Sequence, residues 1–520
     1  MLQIEFRNEP LTDFSKADSK AAMEAALEKV KREFGREYPL VIGGQRITGL
    51  KTFDTVNPSH KDQVLGKFQK GTKAHVEQAL DAAWKAFEDW KRQPVEVRAN
   101  VLFTAAKLLR ERKHEFSATM VYEVGKTWAE ADADTAEAID FCEFYAREAH
   151  RYADEQPITK IAGEDNELVY IPLGVGAVIP PWNFPLAIMA GMTTAGAVCG
   201  NAIILKPSSD APWIAYRFFA LLEESGMPAG VVNFLSGSGG EVGDPLVQSP
   251  RIRFISFTGS KEVGLHINEE AAKTPKEQRW IKRVVAEMGG KDSIVVDRET
   301  ANLDEAAAAV VASAFGFQGQ KCSACSRVIV DEAIFDKFVP MIVEKTKALK
   351  IGSAEKGDSQ IGPVVNKKAM EKIKEYIDKG QKEGPLLVGG KIHPEEGFFI
   401  EPTVIGPVDV KSTISQEEIF GPVLAVLKAK DFDHALQLAN DTEFGLTGSV
   451  FTDNEQKIER AQNEFFVGNL YFNRKCTGAL VGVHPFGGFN MSGTDSKAGG
   501  RDYLGLFMQA KAISRKISRK

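Results

Sequence analysis

The chain has 520 residues, of which 43% are hydrophobic and 26% are charged, so it is long enough for several domains with buried cores. Its 65 basic and 71 acidic residues leave a net charge of −6, which gives no reason to expect a nucleic-acid or anionic-membrane surface. No apolar run approaches the roughly 18 residues of a membrane span, and the first residues lack an apolar signal core. Five scattered cysteines favour a reducing compartment, and we therefore expect a cytoplasmic protein.

The first part of the chain is predicted to be mainly helical. Residues 1–37 are polar and predict an arm that contains one helix. A hairpin around Gly43-Gly44 is predicted next, and helical periodicity follows over residues 72–90, 95–112, 114–123 and 128–152. On the last of these helices Glu137 shares a stripe with two Phe residues, which places a carboxylate beside aromatic rings. A glutamate at the helix edge that reaches solvent is the alternative interpretation.

Short strands then alternate with helices, which is typical of an open parallel α/β sheet with crossover helices. Strands are predicted over residues 167–171, 174–179, 202–205, 231–235 and 252–257. Ligands of such sheets bind beyond the carboxyl ends of the strands. Trp182, Lys206 and Ser260 each follow one of these ends, so we expect them near one ligand.

A second alternating region begins near Gly289 and predicts a second α/β domain. Its strands are predicted over residues 293–296, 326–330 and 423–428, and its helices over 303–314, 333–349, 369–383 and 432–440. The final segment, residues 503–513, ends with alternating apolar and polar residues and predicts an added edge strand.

The segment FGFQGQKCSACSR, residues 315–327, contains the best candidate for a nucleophile. Cys322 lies between a predicted helix and a predicted strand, and Lys321 beside it is expected to favour the reactive thiolate. A half-buried structural cysteine is the alternative. The C-x-x-C pattern formed with Cys325 also allows a redox pair or half of a zinc site. Because no second C-x-x-C and no paired histidines follow, we expect no metal site.

Further motifs point to a nucleotide. Ser260 after Gly259 is a good helix N-cap, and a helix N-terminus next to glycine is a natural pyrophosphate site. The glycines between residues 237 and 243 do not fit G-x-G-x-x-G, so the usual dinucleotide fingerprint is missing. Two interpretations stay open for Lys206, which could bind ribose hydroxyls or lie in solvent. Two also stay open for Glu287, which lies beside a Gly-Gly turn and could face the site or point away from it.

Eight segments, in this order, resemble the aldehyde dehydrogenase superfamily over about residues 38–515. They are PWNFP (181–185), KPS (206–208), GMPAGVVN (226–233), FTGSKEVG (257–264), EMGGKD (287–292), GQKCSACSR (319–327), EEIFGPV (417–423) and PFGGFNMSG (485–493). The resemblance implies an α/β fold of two open parallel-sheet domains, one Rossmann-like for the cofactor and one catalytic, with a β-flap for oligomerisation. The expected boundaries are 1–37 for the arm, 38–152 with 172–288 for the NAD(P)-binding domain, 289–470 for the catalytic domain, and 153–171 with 490–520 for the flap.

Residues 315–327 and 469–507 are most similar to family members that oxidise glutamate γ-semialdehyde to glutamate in proline degradation. The resemblance implies that Cys322 forms a thiohemiacetal and then a thioester. The side-chain amide of Asn183 and the Cys322 N–H would bind the oxyanion, and Glu287 would activate water as a general base.

The resemblance also implies the cofactor contacts. The expected set is Lys206 at the adenosine ribose, Gly259, Ser260 and Trp182 at the pyrophosphate, and Glu418 with Phe420 at the nicotinamide ribose. Ser209 stands where many NAD-selective relatives carry Glu, so we expect NAD to be used and NADP to be accepted as well.

For the substrate, the resemblance places the α-carboxylate on Ser323 and on the backbone amides of Gly478 and Ala479. Phe184 and Phe486 would enclose the aliphatic chain, and Glu137 would meet the α-ammonium group. We expect a homo-oligomer, dimer or hexamer, with proline dehydrogenase as a possible partner. Two alternatives stay open: an aldehyde dehydrogenase for another semialdehyde, and a non-catalytic dinucleotide-binding member, which the presence of all three catalytic residues disfavours.

Overall fold

The computed structural model describes residues 5–517, so the ends of the predicted arm and flap, residues 1–4 and 518–520, lie outside the described residues. The α-helices are Ala17–Lys31 (α1), Lys73–Trp90 (α2), Val95–Glu111 (α3), Lys113–Val124 (α4), Trp128–Ala153 (α5), Ala187–Val198 (α6), Pro212–Glu224 (α7), Asp244–Gln248 (α8), Lys261–Ala272 (α9), Leu303–Phe315 (α10), Glu332–Lys347 (α11), Lys367–Glu383 (α12), Thr413–Gln416 (α13), Phe432–Asn440 (α14) and Glu455–Glu464 (α15).

The strands are Arg36–Tyr38 (β1), Leu40–Ile42 (β2), Gln45–Ile47 (β3), Thr52–Asn57 (β4), His60–Gln69 (β5), Glu164–Pro172 (β6), Val175–Ile179 (β7), Ala202–Leu205 (β8), Val232–Phe234 (β9), Phe254–Thr258 (β10), Arg283–Glu287 (β11), Asp292–Val296 (β12), Cys325–Asp331 (β13), Leu386–Val388 (β14), Ile392–His393 (β15), Phe399–Ile400 (β16), Thr403–Ile405 (β17), Val423–Ala429 (β18), Phe444–Gly445 (β19), Thr447–Phe451 (β20), Asn469–Phe472 (β21), Phe489–Asn490 (β22) and Met508–Lys516 (β23).

The first large sheet has the strand order β11-β10-β7-β8-β9-β2-β3. Its strands β7 to β11 are parallel, and the predicted hairpin β2–β3 adds an antiparallel edge. Ile179 is level with Phe257, and Val178 is level with Leu205, so three strands end at the same edge. The loops that carry Trp182, Lys206 and Ser260 therefore leave the sheet side by side, as the strand pattern predicts.

The second large sheet has the order β14-β17-β18-β13-β12-β20-β21 and is parallel except for β14. The chain passes from the end of β11 to the start of β12 through Met288–Lys291, so Glu287 and Asp292 lie on opposite sides of one short crossing. Cys322 precedes β13, the neighbour of β12. The last strand of one sheet and a central strand of the other thus converge on one region, and the two predicted open α/β sheets are both present.

Strands β6 and β23 form a separate antiparallel pair, with register from Met508 opposite Pro172 to Lys516 opposite Glu164. The predicted terminal strand begins later than expected, because residues 503–507 form a 3₁₀ turn instead. The glycine-rich stretch after residue 237 forms a π-helical turn over Gly239–Gly243 that leads into α8. Within residues 5–517, no helix is both long and apolar enough to cross a membrane.

Candidate active site

Cys322 lies where a cavity and a groove meet. The cavity has a volume of about 120 Å³ and the groove one of about 700 Å³, and the cysteine lines both. Its side chain is half-buried, whereas the other four cysteines are buried. A reactant in the cavity and a second molecule in the groove would therefore both reach one sulfur atom.

The turn before this cysteine has left-handed backbone at Gln318 (φ 55°) and at Gly319 (φ 66°). A side chain strains this conformation, which persists only where neighbouring groups enforce it. The Gln318 side-chain amide donates to the carbonyl oxygens of Gly125 at 3.1 Å and Pro363 at 2.7 Å. A Cβ atom at Gly319 would lie 2.3 Å from the carbonyl oxygen of Gly421, so only glycine fits there.

Burial raises the pKa of the Cys322 thiol, and the nearby carboxylates of Asp292 and Glu418 raise it further. The expectation that Lys321 favours the thiolate is wrong for this structure. The Lys321 ammonium forms an ion pair with Glu130 at 2.7 Å, which engages its charge with another partner. The thiol therefore needs a group that accepts its proton.

Residues 316–322, here called the nucleophile loop, bring the two predicted oxyanion donors together. The Asn183 side chain, 4% exposed, donates one amide hydrogen to the Gln320 carbonyl oxygen at 3.1 Å. That bond holds the amide beside the nucleophile loop and leaves its other hydrogen available. In residues 5–517, the Cys322 N–H has no hydrogen-bond partner.

Glu287 ends β11 and lines the cavity together with the cysteine. Its carboxylate accepts hydrogen bonds from the Gly488 N–H at 3.1 Å and from the N–H and Oγ of Ser496 at 3.1 and 2.7 Å. Burial raises the pKa of Glu287 to about 7, although the bonds from Ser496 and Gly488 oppose that shift. A base with this pKa suits proton transfer near neutral pH. Sequence reasoning missed Ser496, which lies beyond the last matching segment.

The structure places all six predicted substrate residues in the lining of the cavity. They are Glu137, Phe184, Ser323, Gly478, Ala479 and Phe486. Three donors among them, the Ser323 hydroxyl and the N–H groups of Gly478 and Ala479, have no hydrogen-bond partner in the described part of the chain. Convergent unpaired donors of this kind suit a carboxylate.

Glu137 lies on α5 and also faces the cavity. Burial raises its pKa to about 8, and the neighbouring Asp134 raises it as well. A cationic group in the cavity would favour the ionised form, because an opposite charge lowers the pKa of a carboxyl.

Behind the cavity lies a buried ion pair that sequence reasoning missed. Lys126 and Asp134 are 2.8 Å apart, and both side chains are 0% exposed. The Lys126 ammonium lies over the rings of Phe184 at 4.0 Å and Phe317 at 4.6 Å from the centroids. Asp134 also accepts the Ala187 N–H at 2.6 Å. The pair therefore connects the loop before α6 to the nucleophile loop, and a lone lysine between two helices carries no sequence signal for this role.

The groove is lined by all seven residues predicted to bind a cofactor. They are Trp182, Lys206, Ser209, Gly259, Ser260, Glu418 and Phe420. The Trp182 and Phe420 rings contact each other edge to face, with centroids 5.4 Å apart, and form one wall.

The polar groups of the groove fit a dinucleotide. Among residues 5–517, the Lys206 ammonium donates only to the Pro207 carbonyl oxygen at 3.3 Å. Burial lowers its pKa to about 8, so a further acceptor would stabilise its charge. Ser260 caps α9, whose N-terminus suits a pyrophosphate. Glu418 accepts the Gly290 N–H at 3.0 Å and can accept ribose hydroxyls with its remaining lone pairs.

The second cysteine of the C-x-x-C pattern is not part of a metal centre in this structure. Cys325 is buried, and its thiol donates to the Arg327 carbonyl oxygen at 3.3 Å. Over residues 5–517, no group of three or more His, Cys, Asp or Glu side chains could hold a metal ion.

Comparison with known proteins gives one family. The sequence pattern of the aldehyde dehydrogenase family matches residues 46–513. A 1-pyrroline-5-carboxylate dehydrogenase of Geobacillus sp. (strain WCH70) is 57% identical over 509 residues, which cover 98% of this chain and 99% of that relative. The resemblance drawn from the eight segments is confirmed.

Solved structures agree in fold. The 1-pyrroline-5-carboxylate dehydrogenase from Thermus with bound NAD is 50% identical, with a TM-score of 0.98 and coverage of 99% of this chain and 100% of that chain. Proline utilization A (PutA) from Bdellovibrio bacteriovorus is 44% identical, with a TM-score of 0.97, and this chain covers 54% of its length. The predicted α/β fold class is thereby confirmed, whereas the domain boundaries stay a prediction.

The hydrogen bonds to Glu287 yield a pH prediction. Ser496→Ala removes one donor to the carboxylate, so the pKa of Glu287 rises and the acid limb of kcat for aldehyde oxidation moves to higher pH. The shift is expected to be about one pH unit, because a hydrogen bond to a charged group contributes about 1.5–3 kcal/mol and one pKa unit equals about 1.4 kcal/mol.

Thr494→Ala is the matched control, since the Thr494 hydroxyl bonds the Ala286 backbone without contacting the carboxylate. Equal pH profiles for Ser496→Ala and the control would contradict the assignment of Glu287 as the base.

Proposed function

The chain belongs to the aldehyde dehydrogenase family, and from that premise we propose that it oxidises glutamate γ-semialdehyde, the opened form of 1-pyrroline-5-carboxylate, to glutamate with NAD. This is the second step of proline degradation. The observation that carries the proposal is the set of unpaired donors at Ser323, Gly478 and Ala479 in a cavity that Cys322 also lines. An aldehyde with a carboxylate at its far end matches both features.

In the first half of the reaction, Glu287 accepts the thiol proton of Cys322. The sulfur attacks the aldehyde carbon, a C–S bond forms, and the carbonyl π electrons move to the oxygen. The Asn183 amide and the Cys322 N–H stabilise that oxyanion, and the loss of one such donor typically costs about 10²–10³ in rate. NAD bound in the groove supplies the acceptor for the hydride of this thiohemiacetal, which leaves a thioester on the cysteine.

Glu287 releases the thiol proton to solvent once the thioester has formed. In the second half, its ionised carboxylate removes a proton from a water molecule that attacks the thioester carbon. The C–S bond breaks, the cysteine thiolate takes that proton back from Glu287, and the product acid releases its own proton to solvent as the carboxylate. The pKa of Glu287, raised to about 7 by burial, allows the same side chain to accept and return a proton at neutral pH.

Substrate orientation follows from the two ends of the amino-acid semialdehyde. Its α-carboxylate accepts hydrogen bonds from the Ser323 hydroxyl and from the N–H groups of Gly478 and Ala479. Its α-ammonium group lies near Glu137 and lowers the raised pKa of that carboxyl. Phe184 and Phe486 enclose the aliphatic chain between the two ends.

We assign the cofactor contacts as the family resemblance implies: Lys206 at the adenosine ribose, Gly259, Ser260 and Trp182 at the pyrophosphate, and Glu418 with Phe420 at the nicotinamide ribose. Ser209 is exposed at the rim of the groove and carries no charge. A 2′-phosphate would meet no repulsion from that side chain, so we propose that NADP is accepted in addition to NAD.

We propose that the chain forms a homo-oligomer through the pair β6–β23. The support is that a pair of only two strands leaves backbone groups unpaired along both outer edges. Proline dehydrogenase is the proposed partner, because its product is the precursor of this substrate. The five free cysteines support a cytoplasmic location, where thiols stay reduced.

The first test is the steady-state oxidation of pyrroline-5-carboxylate and of pentanal by the wild-type protein and by Cys322→Ala. We expect kcat/KM to favour the amino-acid substrate by about 10² or more, because unmet polar groups reject the plain aldehyde. The Cys322→Ala variant should lose both activities. Oxidation of pentanal alone would overturn the substrate, and no oxidation of either would overturn the function.

Ser323→Ala should raise KM for the amino-acid semialdehyde about tenfold or more, since a hydrogen bond to a carboxylate contributes about 1.5–3 kcal/mol. KM for pentanal should stay unchanged. The matched control is Ser326→Ala, because Ser326 does not line the cavity. An equal change for both aldehydes would refute the proposed carboxylate contact.

Ser209→Glu should raise KM for NADP at least about tenfold, because a like charge placed against the 2′-phosphate costs several kcal/mol. KM for NAD should change little, and Ser209→Gln, which adds similar bulk without charge, should leave the ratio near that of the wild type. A wild-type protein without NADP activity would contradict the proposed dual use.

A further inference from the structure

Residues 5–14, here called the leading segment, lie along α5 and are attached to two of its buried carboxylates. The Glu9 N–H donates to Asp140 at 2.6 Å, and the N–H and Oγ of Thr12 donate to Asp132 at 2.7 and 2.6 Å. Asp132 is 1% exposed and Asp140 is 4% exposed. Charge-assisted bonds to buried carboxylates are the strong kind, so the segment has a fixed position on the helix.

One residue of the leading segment also bonds the loop that carries Gly478 and Ala479. The Asn8 side-chain amide donates one hydrogen bond to Asp140 at 2.8 Å and another to the Val481 carbonyl oxygen at 3.0 Å. Within residues 5–517, that oxygen accepts no other hydrogen bond. Val481 is buried and follows Gly478 and Ala479 by two to three positions.

The ring of Phe6 makes a second contact at the same place. It packs edge to face on Phe144, with centroids 5.2 Å apart. A Cβ atom at Gly482 would lie 3.1 Å from both rings, so the two rings close directly over that glycine. Gly482 has φ of 76°, a conformation that other residues rarely adopt.

Residues 477–484, here called the anchor loop, are also held by two residues that precede them in the chain. The Arg474 guanidinium donates to the carbonyl oxygens of Thr477 and Gly478 at 3.0 and 3.1 Å. The Cys476 thiol donates to the Ser323 carbonyl oxygen at 3.4 Å. These bonds orient the start of the loop. Its middle is held by the contacts from Asn8 and Phe6 and by the bond from the Gly482 N–H to the Gly499 carbonyl oxygen at 2.8 Å.

We propose that the leading segment is a positioning element for the substrate: Asn8 holds the anchor loop so that the N–H groups of Gly478 and Ala479 converge with Ser323 on the α-carboxylate. Asn8 touches neither substrate nor cofactor and acts through the loop. The proposal rests on the proposed function, since it assigns the anchor loop to a carboxylate. Groups held ready for a ligand bind it more tightly because their ordering cost is already met.

The test compares Asn8→Ala with Thr12→Ala. Both variants remove a side-chain hydrogen bond from the leading segment to a buried carboxylate of α5, and only Asn8 also bonds the anchor loop. The substrates are pyrroline-5-carboxylate, 5-oxopentanoate, which keeps the carboxylate without the amino group, and pentanal, which lacks both.

Asn8→Ala is expected to raise KM about tenfold for the two carboxylate-bearing aldehydes, because a buried carbonyl is left unpaired and the loop loses its support. Its kcat and its KM for pentanal should stay within about twofold of the wild-type values, because pentanal has no carboxylate for the anchor loop to bind. Thr12→Ala should match the wild type on all three substrates. Calorimetric titration with L-glutamate should show the same tenfold loss of affinity for Asn8→Ala, with unchanged affinity for NAD.

Equal behaviour of the two variants would overturn the proposal, because both would then report only the attachment of the segment to α5. A loss of pentanal oxidation in Asn8→Ala would also overturn it, since the effect would not be specific to the carboxylate. Should Asn8→Ala fail to fold, Phe6→Leu tests the same support of the anchor loop. It should raise KM for the two carboxylate-bearing aldehydes and leave KM for pentanal unchanged. An equal change for all three substrates would again contradict the proposal. Failure of the proposed function can be told apart from failure of this proposal, because the wild-type protein itself would then not oxidise pyrroline-5-carboxylate.

Discussion

The left-handed turn before Cys322 is the constraint on which the rest of the site depends. A non-glycine residue in this conformation costs on the order of 1–3 kcal/mol, so Gln318 adopts it only because its amide is bonded to two carbonyl oxygens from distant segments. Gly319 packs directly against the backbone at Gly421. The turn aims the thiol at the border of cavity and groove, and an aldehyde and a cofactor can therefore meet at one atom without sharing a pocket.

Burial of the side chains around the cavity and the groove also sets the acid–base properties of the site. It raises the pKa of Glu287 to about 7 and lowers that of Lys206 to about 8, so both ionise near neutral pH. The charged form of Glu287 is stabilised by protein donors, whereas Lys206 has only one weak acceptor in the part of the chain that the structure describes. In the proposed reaction, the base is thus ready before any ligand binds, whereas ligands would complete the groove and the donors for the substrate carboxylate.

Much of the fold could be predicted from the sequence where local residues mark the beginning and the end of a helix or strand. The strand Ala202–Leu205 lies at the predicted residues, because Gly, Asn and Pro mark its ends. Most of the candidate site residues were found because they lie in eight short segments that occur in the family's order. The partner of Lys321 could not be predicted, since Glu130 is 191 positions away, and the bond from Asn8 spans 473 positions. Pairs so distant leave no periodic pattern in a single sequence.

These unpredicted contacts share one support, the 26-residue helix α5. Glu130, Asp134 and Glu137 follow at spacings of 4 and 3, so they lie on one face, where they serve the nucleophile loop, the loop before α6 and the substrate cavity. Asp132 and Asp140 carry the leading segment. A rigid helix fixes such groups relative to one another better than separate loops could. Glu130, which bonds the nucleophile loop, and Asp140, which bonds Asn8, therefore move together. Under the proposed function, this keeps the distance from the Cys322 sulfur to the donors at Ser323, Gly478 and Ala479 matched to one substrate length.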